Sequence, residues 1–372
     1  MRITQLHSQL LRLPLQPPIT PPQTTDPFGR LDHVFMLIVH LDTDAGLRGL
    51  GFAYALQGGG RALKAIAEDD LAPLLVGEDP LDHERLGGRA YWRLQSIGRR
   101  GLVAQAYSAV DLALWDLKGK AANLPLYKLL GGARESAPVY GSDVGWRWMG
   151  VEETVQAARG YLDQGLVGVK VKIGGKDPAA DAARLTAIRE ALGENVWLGV
   201  DANQHYDYGT ALAMGRFLQD DIGVDWFEEP LSCEDVEGHA RLAQKLDVPL
   251  ALGETLFGLD EFQRYLERGA VDVLQPDVTR VGGLTAWLKV AALAELHHRP
   301  LAPHLLPEVA VHLACGLPRV TLVEYMPWLY PAFVEPPALV NGQIVPPPRP
   351  GLGLEIDPEA VRKYEMGDRG GV

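Results

Sequence analysis

Hydrophobic and polar residues follow two different rhythms along this chain. Near the N-terminus, residues 35–41 (FMLIVHL) and 48–54 (RGLGFAY) are apolar runs on either side of the turn-forming segment DTDAGL, and such a pair predicts a β-hairpin. Residues 103–121 instead repeat apolar side chains at steps of three and four, which predicts a helix. We therefore expect an α+β unit, with loops at residues 17–30 and 54–60.

From about residue 139 the pattern becomes a short apolar strand, a turn and an amphipathic helix, repeated over about 190 residues. The eight predicted strands are PVYGS, GVKVKI, WLGVDA, VDWFEE, PLALGE, VDVLQP, PLAPH and VTLVEY. Eight strand-helix units predict a parallel (β/α)8 barrel of the TIM-like type. A doubly wound open sheet is the alternative, but no G-x-G-x-x-G fingerprint follows an early strand.

These patterns divide the chain into three parts. Residues 1–125 are expected to form an α+β capping domain, and residues 126–325 the barrel that carries the chemistry. The tail, residues 326–372, is rich in Pro and Gly and too irregular to extend the barrel. We expect it to pack back on the capping domain and complete it.

Composition narrows the classes of partner. The formal net charge of −13 and the lack of clustered Lys and Arg argue against a nucleic-acid surface. No apolar run approaches the about 18 residues of a membrane span, and prolines interrupt the N-terminal stretch LRLPLQPPITPPQ. Cys233 and Cys315 lie far apart, which predicts two reduced thiols. We expect a cytoplasmic enzyme that acts on a small molecule.

Ionisable and polar residues stand where the predicted barrel strands end. In chain order they are Ser142, Lys170, Lys172, Asp201, Asn203, Glu228, Glu254, Asp277, His304 and Glu324. Barrel enzymes carry their chemistry at this end of the strands. Because strand side chains alternate in direction, Lys170 and Lys172 must both point to the barrel interior. The same alternation turns Glu229 away from Glu228, toward the helix layer.

Asp201, Glu228 and Glu254 end three neighbouring predicted strands and should converge. Three carboxylates held close together repel each other unless a cation neutralises them. Oxygen ligands favour a hard ion, and Mg²⁺ keeps coordination positions for water and substrate oxygens. Each carboxylate alone has an ordinary alternative as a helix cap or ion-pair partner, but the three together predict a magnesium site.

His304 and Asp277 end adjacent predicted strands. A carboxylate that accepts a hydrogen bond from one imidazole nitrogen orients the ring and leaves the other nitrogen to act as a base. His297 and His298 at a predicted helix end, and His312 in the next helix, are expected to have structural roles only.

The series KVK, VDAN, FEEP, GET, QPDVTRVGG, APH and VEY resembles the enolase superfamily, and specifically its mandelate racemase subgroup. The resemblance covers nearly the whole chain, including the segment AYSAVDLALWDLKGKAANLPLYKLLGG near the capping domain's end. It implies abstraction of the α-proton of a carboxylate substrate, one Mg²⁺ and a homo-oligomer. Among members of this subgroup, acid-sugar dehydratases are the most similar.

The resemblance also implies residue roles. Lys170 and Mg²⁺ stabilise the negative charge that develops, and Lys172 abstracts the proton, with a pKa lowered by Lys170 and the metal. His304 faces the other side of the substrate as a second base or an acid. Glu324 hydrogen-bonds the substrate carboxylate, which requires a proton on Glu324 or shared with it, and Asn203 contacts the same region.

The resemblance leaves the reaction open between two outcomes. Dehydration of an aldonate or aldarate to a 2-keto-3-deoxy acid is expected, with Ser142, Arg30 and Arg61 as further substrate-binding candidates. The alternative is a racemase or epimerase of a more apolar 2-hydroxy acid, served by Phe28, Leu56 and Trp146. A catalytically inert barrel that only binds a ligand is the alternative from another class.

Overall fold

A three-stranded antiparallel sheet begins the chain in the computed structural model, which describes residues 1–19 and 31–367. Its strands are β1 (Ile3–Ile19), β2 (Leu31–Thr43) and β3 (Arg48–Leu56), in the order β1-β2-β3. The pairing of Asp42 with Arg48 and of Met36 with Tyr54 confirms the predicted hairpin. Residues 20–30, part of the predicted loop 17–30, lie outside the described residues.

Helices cover one face of this capping sheet. They are α1 (Gly60–Ala65), a π-helical turn (Ile66–Leu71), α2 (Ala72–Leu75), α3 (His83–Arg93) and α4 (Leu102–Ala122). Helix α4 crosses β3 so closely that a Cβ on Gly51 would lie 1.9 Å from the carbonyl oxygen of Ala109. Glycine in β3 therefore permits the close approach of the predicted helix to the hairpin.

The barrel is a closed ring of parallel strands. Its regular strands are β4 (Ala137–Gly141), β5 (Gly168–Lys172), β6 (Trp197–Asp201), β7 (Trp226–Glu228), β8 (Leu250–Leu252), β9 (Val273–Leu274) and β10 (Val323–Tyr325). Neighbouring strands pair in this order from β4 to β9, and β10 pairs with β4. The ring closure confirms the predicted barrel and excludes an open sheet.

The seventh predicted strand, PLAPH, is reduced to one residue. Leu301 makes parallel bridges to Leu274 on one side and to Val320 on the other. Prolines at positions 300 and 303 have no N–H group to donate to a ladder, so pairing cannot extend on either side of Leu301. The ring is still continuous through this bridge.

Helices surround the barrel on the outside. They are α5 (Leu126–Leu129), α6 (Val151–Leu162), α7 (Pro178–Leu192), α8 (Tyr208–Phe217) with a π-helical extension (Leu218–Ile222), α9 (Val236–Ala243), α10 (Leu259–Glu267), α11 (Leu284–Leu296) and α12 (Pro307–Gly316). Within the described ranges, no helix is both long and apolar enough to cross a membrane.

The C-terminal tail attaches to both halves of the molecule. Its elements are a 3-10 turn (Tyr330–Ala332), β11 (Ala338–Val340), β12 (Gln343–Val345) and α13 (Pro358–Tyr364). Strand β12 pairs with the barrel strand β4, whereas a bridge from Leu11 to Glu365 ties the end of the tail to β1. The hairpin β11–β12 thus belongs with the barrel and only the flanking parts of the tail reach the capping sheet.

Capping sheet and barrel share one large apolar core, and each part also has a buried cluster of its own among the described residues. Val34 and Phe52 of the sheet belong to the same buried cluster as Leu252 and Trp287 of the barrel. The ring of Phe52 also packs edge-to-face against Phe333 of the tail, with centroids 5.3 Å apart. This common core holds the capping sheet over one end of the barrel.

Candidate active site

The carboxyl ends of consecutive barrel strands bring the predicted residues together. Strand pairing aligns Lys172 with Asp201, and Asp201 with Glu228, while Glu254 follows β8 by two residues. Each strand supplies a buried apolar residue before its functional one, so the strand is fixed by packing and the last side chain faces the barrel mouth.

Asp201, Glu228 and Glu254 form a buried carboxylate triad. One oxygen from each lies within 4.8 Å of the others. Burial and the neighbouring Asp201 raise the pKa of Glu228 well above its ordinary value. Oε2 of Glu254 is buried and, although Nε2 of His304 lies 3.2 Å away, no described residue makes a hydrogen bond of suitable geometry to it. A set of converging oxygens with one unsatisfied acceptor fits a hard divalent cation such as Mg²⁺.

Lys170 lies beneath this triad. Its Nζ donates to Oε1 of Glu228 at 2.6 Å and lies 2.9 Å from Oε1 of Glu324, and the side chain is completely buried. Burial lowers the pKa of Lys170, but Glu228 and Glu324 outweigh this effect and hold the pKa well above its usual range. Lys170 is therefore a fixed positive charge under the site.

Lys172 reaches the pocket from the same strand. Its Nζ contacts Oδ2 of Asp201 and lies 5.7 Å from the ring centroid of Trp146. Burial and the repulsion of Lys170 lower the pKa of Lys172, but the attractions of Asp201, Glu254 and Glu228 together outweigh them, so the pKa is raised. A cation on Asp201 would offset part of this carboxylate charge. The expected lowering of the pKa by Lys170 and the metal together therefore stays a prediction.

His304 and Asp277 form the expected pair. Nδ1 of His304 lies 2.8 Å from Oδ2 of Asp277, and Nε2 lies 3.2 Å from Oε2 of Glu254. Although burial opposes ionisation, the hydrogen bond and charge of His304 lower the pKa of Asp277 to about 2. The second contact to the same Asp277 oxygen comes from the hydroxyl of Tyr54 in β3, at 2.6 Å.

Glu324 and Asn203 line the pocket, and Ser142 is buried at the end of β4. Oε2 of Glu324 accepts from the backbone N–H of Leu305 at 2.7 Å. Burial would raise the pKa of Glu324, but the charges of Lys170, His304 and Lys172 act together against it and lower the pKa. Glu324 is thus ionised beside Lys170, and not protonated as its expected hydrogen bond to a carboxylate requires.

The other singled-out side chains have structural partners. Glu229 turns away from the triad, as expected, and accepts from Oγ1 of Thr255 at 2.7 Å. Nε2 of His312 lies 3.0 Å from the carbonyl oxygen of Leu352. Cys233 and Cys315 are free thiols.

The pocket above these groups has a volume of about 120 Å³. It is lined by Leu31, Leu56, Gln57, Trp146, Arg147, Trp148, Lys172, Asn203, Glu254, Arg280, His304, Leu305, Glu324, Met326 and Trp328. Capping and barrel residues both contribute to this wall. The pocket therefore lies at the boundary between the two parts of the chain.

Several lining residues were missed by the sequence reasoning. Arg147 and Trp148 follow β4 in the segment SDVGWRWMG, and Arg280 follows Asp277 by three residues, so their positions after strands were an available signal. Trp328 gave no such signal. It stacks on Trp146 with centroids 6.4 Å apart only because the ring closure brings β10 beside β4.

Of the two predicted capping arginines, Arg61 is the one within the described residues, and it does not join this group. Arg61 lies in the first turn of α1 and donates from Nη1 to the carbonyl oxygen of Gly367 at 3.2 Å. It is absent from the described pocket wall, because the turn at Gly59–Gly60 directs α1 away along the capping sheet. Arg30 and Phe28 lie outside the described residues.

Comparison with known families identifies the family of this chain. The model of the mandelate racemase / muconate lactonizing enzyme N-terminal domain matches residues 13–131, and the enolase C-terminal domain-like model matches residues 153–360. The chain belongs to the mandelate racemase / muconate lactonizing enzyme family of the enolase superfamily. The fold described above, a capping domain on a (β/α)8 barrel, is that of this family.

Relatives within the family are similar over nearly their full length. L-talarate/galactarate dehydratase of Salmonella typhimurium strain LT2 is 39% identical over 98% of this chain and 92% of the relative. 3,6-Anhydro-alpha-L-galactonate cycloisomerase of Streptomyces coelicolor is 34% identical over 98% of this chain and 100% of the relative.

A solved structure is similarly close. L-talarate dehydratase from Polaromonas sp. JS666, complexed with Mg and L-glucarate, has a TM-score of 0.91 and 39% identity, over 99% of this chain and all of that chain. The likeness therefore covers the capping sheet and the barrel together.

Proposed function

We propose that this protein is a Mg²⁺-dependent acid-sugar dehydratase. It would remove the α-proton of an aldonate or aldarate to give an enediolate and then expel the β-hydroxyl as water, which leaves a 2-keto-3-deoxy acid. One observation carries the proposal. Lys172 and His304 reach the same pocket from the second and the seventh barrel strands, beside the buried carboxylate triad.

Asp201, Glu228 and Glu254 are the residues that would hold the metal ion. When bound, Mg²⁺ supplies positive charge next to the substrate carboxylate and so stabilises the second negative charge of an enediolate. The Polaromonas relative, whose structure contains Mg and L-glucarate, supports this assignment. Together, the cation and the ammonium group of Lys170 offset the charges of the three carboxylates, so a substrate carboxylate is repelled less than it would be by the triad alone.

Proton transfer is assigned to the two side chains that flank the pocket. The neutral amine of Lys172 would take the α-proton from one side of the substrate. Nε2 of His304, on the other side, would then give a proton to the leaving hydroxyl, while Asp277 holds Nδ1. Two such groups let the same site act as base and acid in sequence.

Substrate binding is assigned to Lys170, Glu324, Asn203 and Ser142. The fixed charge of Lys170 favours a carboxylate above the triad. Glu324 carries a negative charge beside Lys170, so it would repel a substrate carboxylate unless a proton is shared between them. We therefore infer that binding raises the pKa of Glu324.

A second reaction is favoured by a specific feature of the pocket. Leu56, Trp146 and Trp148 give it an apolar wall, and Trp146 and Trp148 stack at 5.4 Å. Such a wall also suits a racemase or epimerase that acts on a more apolar 2-hydroxy acid. The cycloisomerase relative is consistent with isomerisation at this type of site. The buried charges argue against a barrel that only binds a ligand. Burial of charged groups is costly, and ligand binding alone does not require it.

The test is a panel of acid sugars and apolar 2-hydroxy acids. Formation of a 2-keto acid and exchange of the α-proton in D2O are followed for each, with Mg²⁺ and after EDTA. Keto acid from an acid sugar, lost on chelation, is expected. Exchange without any keto acid would favour the racemase.

Variants connect the activity to the assigned residues. Lys172→Ala and His304→Asn should each lower dehydration by about 100-fold or more. Lys176→Ala, on the exposed loop after β5, and His297→Asn, at the end of α11, are matched controls that should retain activity. Undiminished turnover in both site variants contradicts the proposal.

We also propose a division into residues 1–125, 126–325 and 326–372, a homo-oligomer and a cytoplasmic location. The exposed aromatic side chains of Tyr91 and Trp92 on α3 support assembly. The two free cysteines are consistent with a reducing compartment. Light scattering coupled to size exclusion tests the assembly, and a monomer at micromolar concentration contradicts it.

A further inference from the structure

Tyr54 of the capping sheet touches the chemical machinery of the barrel. Its side chain is 2% exposed, and its hydroxyl lies 2.6 Å from Oδ2 of Asp277, 223 residues away in sequence. The same oxygen lies 2.8 Å from Nδ1 of His304. A residue outside the barrel thus shares the acceptor that orients the imidazole.

The direction of this hydrogen bond follows from the other partners of Asp277. Oδ1 accepts from the backbone N–H of Thr279 at 2.7 Å, from its hydroxyl at 2.6 Å and from the N–H of Arg280 at 3.1 Å. These bonds and His304 keep Asp277 ionised. An ionised carboxylate only accepts, so Tyr54 is the donor.

The arrangement fixes both oxygens of Asp277. Oδ1 is held by the chain that follows β9, and Oδ2 is held by Tyr54 on the side of the capping sheet. An acceptor fixed at both ends leaves His304 one favourable orientation, with Nδ1–H toward Asp277 and Nε2 toward the pocket, 3.2 Å from Oε2 of Glu254.

The position of Tyr54 in β3 explains why it can do this. Residues two apart in a strand share a face. On this face of β3, Phe52 packs in the common core, Tyr54 meets Asp277, and Leu56 lines the pocket. One strand face therefore leads from the core of the molecule to the wall of the site.

We propose that Tyr54 is a positioning residue for His304, through Asp277, and that it ties the His304 half of the reaction to the docking of the capping sheet. This inference rests on the proposed function, in which Lys172 and His304 lie on different sides of the substrate, so that each can exchange the α-proton of one α-epimer. Tyr54 acts on one of the two bases only. Removal of the Tyr54 hydroxyl should therefore slow proton exchange on one side of the substrate and leave exchange on the other side unchanged.

The experiment uses Tyr54→Phe, which removes only the hydroxyl. Exchange of the α-proton in D2O is measured by NMR for two acids that differ at one α-carbon, beginning with galactarate and L-talarate, and with other α-epimer pairs from the panel. Loss of exchange in His304→Asn or in Lys172→Ala assigns each epimer to its base.

In Tyr54→Phe, we expect exchange of the His304-dependent epimer to slow by on the order of tenfold. Exchange of the Lys172-dependent epimer and both KM values should stay within about twofold. Tyr107→Phe is the matched control. The hydroxyl of Tyr107 is also buried in the capping domain, but it makes no hydrogen bond to any described residue. This variant should change neither rate.

The variant Phe52→Leu distinguishes a positioning role of Tyr54 from a purely structural one. It weakens the packing of the same strand two residues away. This variant should lower the melting temperature without changing the ratio of the two exchange rates. Equal slowing of both epimers in Tyr54→Phe, or no slowing, overturns the inference. Absence of both exchange and keto acid for every acid of the panel in the wild type overturns the proposed function, whereas keto acid without exchange overturns this inference alone.

Discussion

Glu308 carries a buried carboxyl group that has no role in the proposed reaction. It lies in the first turn of α12, four residues after His304, and is completely buried. Neither of its side-chain oxygens has a hydrogen-bond partner in the described part of the chain. Burial raises the pKa of Glu308 to about 8, so the group is protonated in the folded protein near neutral pH.

Replacement of Glu308 by Gln should stabilise the protein at neutral pH. In the unfolded chain Glu308 ionises near pH 4.5, so the folded state binds the proton more tightly. The stability from this group is fully present below pH 4.5 and is lost as the pH rises toward 8. At pH 7 the loss amounts to on the order of 3 kcal/mol, which Glu308→Gln should recover.

Urea unfolding between pH 5 and pH 8 measures this effect. The free energy of unfolding should fall less with pH in Glu308→Gln than in the wild type. Glu359→Gln, at an exposed position on α13, is the control and should leave the pH dependence unchanged. An unaltered slope in Glu308→Gln would show that the buried carboxyl is not protonated.

Which site residues a sequence reveals depends on how they are brought together. Asp201, Glu228 and Glu254 were predictable, because parallel strands in a barrel end at the same rim. His304 and Asp277 were found in the same way. Tyr54 was not, because its partner lies 223 residues away and only the docking of two separate folding units makes them neighbours.

At the scale of elements, helix α11 depends on a side chain from another part of the chain. The residue before its first turn is Gly283, which has no side chain to cap the helix. Asp111 on α4 takes this role and accepts from the N–H of Thr285 at 2.8 Å and from its hydroxyl at 2.6 Å. Trp115, also on α4, donates to the same hydroxyl at 2.9 Å.

Asp111→Ala should lower the free energy of unfolding by about 2 kcal/mol, because it removes a buried cap and leaves donors of α11 unpaired. Thermal unfolding followed by circular dichroism measures this loss. Asp177→Ala is the matched control, since Asp177 caps α7 from an exposed position. A loss in Asp111→Ala no larger than in Asp177→Ala would refute the role of Asp111.

Two secondary-structure elements differ from the prediction, because the local sequence pattern does not show which backbone groups can pair with a neighbouring strand. Periodicity predicted eight strands, but proline at positions 300 and 303 limited the seventh to a bridge at Leu301. The tail was expected to pack on the capping domain. Its hairpin β11–β12 pairs with β4 instead, because the N-terminal end of that strand offers free backbone groups that short-range patterns do not reveal.

At the scale of the whole molecule, the common core predicts one cooperative unfolding transition. The capping sheet and the barrel bury side chains in the same apolar cluster, so neither part can lose its structure alone without exposing the other. Differential scanning calorimetry should give a single peak whose calorimetric and van't Hoff enthalpies agree. Mg²⁺ at 100 times its Kd should shift the whole peak upward, equivalent to about 2.7 kcal/mol.

A resolved pair of peaks would contradict this prediction, and so would a Mg²⁺ shift confined to part of the transition. Asp201→Asn should abolish the Mg²⁺ shift. Asp207→Asn, at the exposed cap of α8 in the loop that follows Asp201, should retain it.

The pocket wall is built from two separate parts of the chain. Leu31, Leu56 and Gln57 come from the capping sheet, whereas the triad and the two bases come from barrel strands. Substitutions in the cap can therefore change which acid is accepted while the proton chemistry is preserved, and this separation gives the architecture room to acquire new substrates. At Tyr54 that freedom ends, because its hydroxyl contacts Asp277, which orients the base His304.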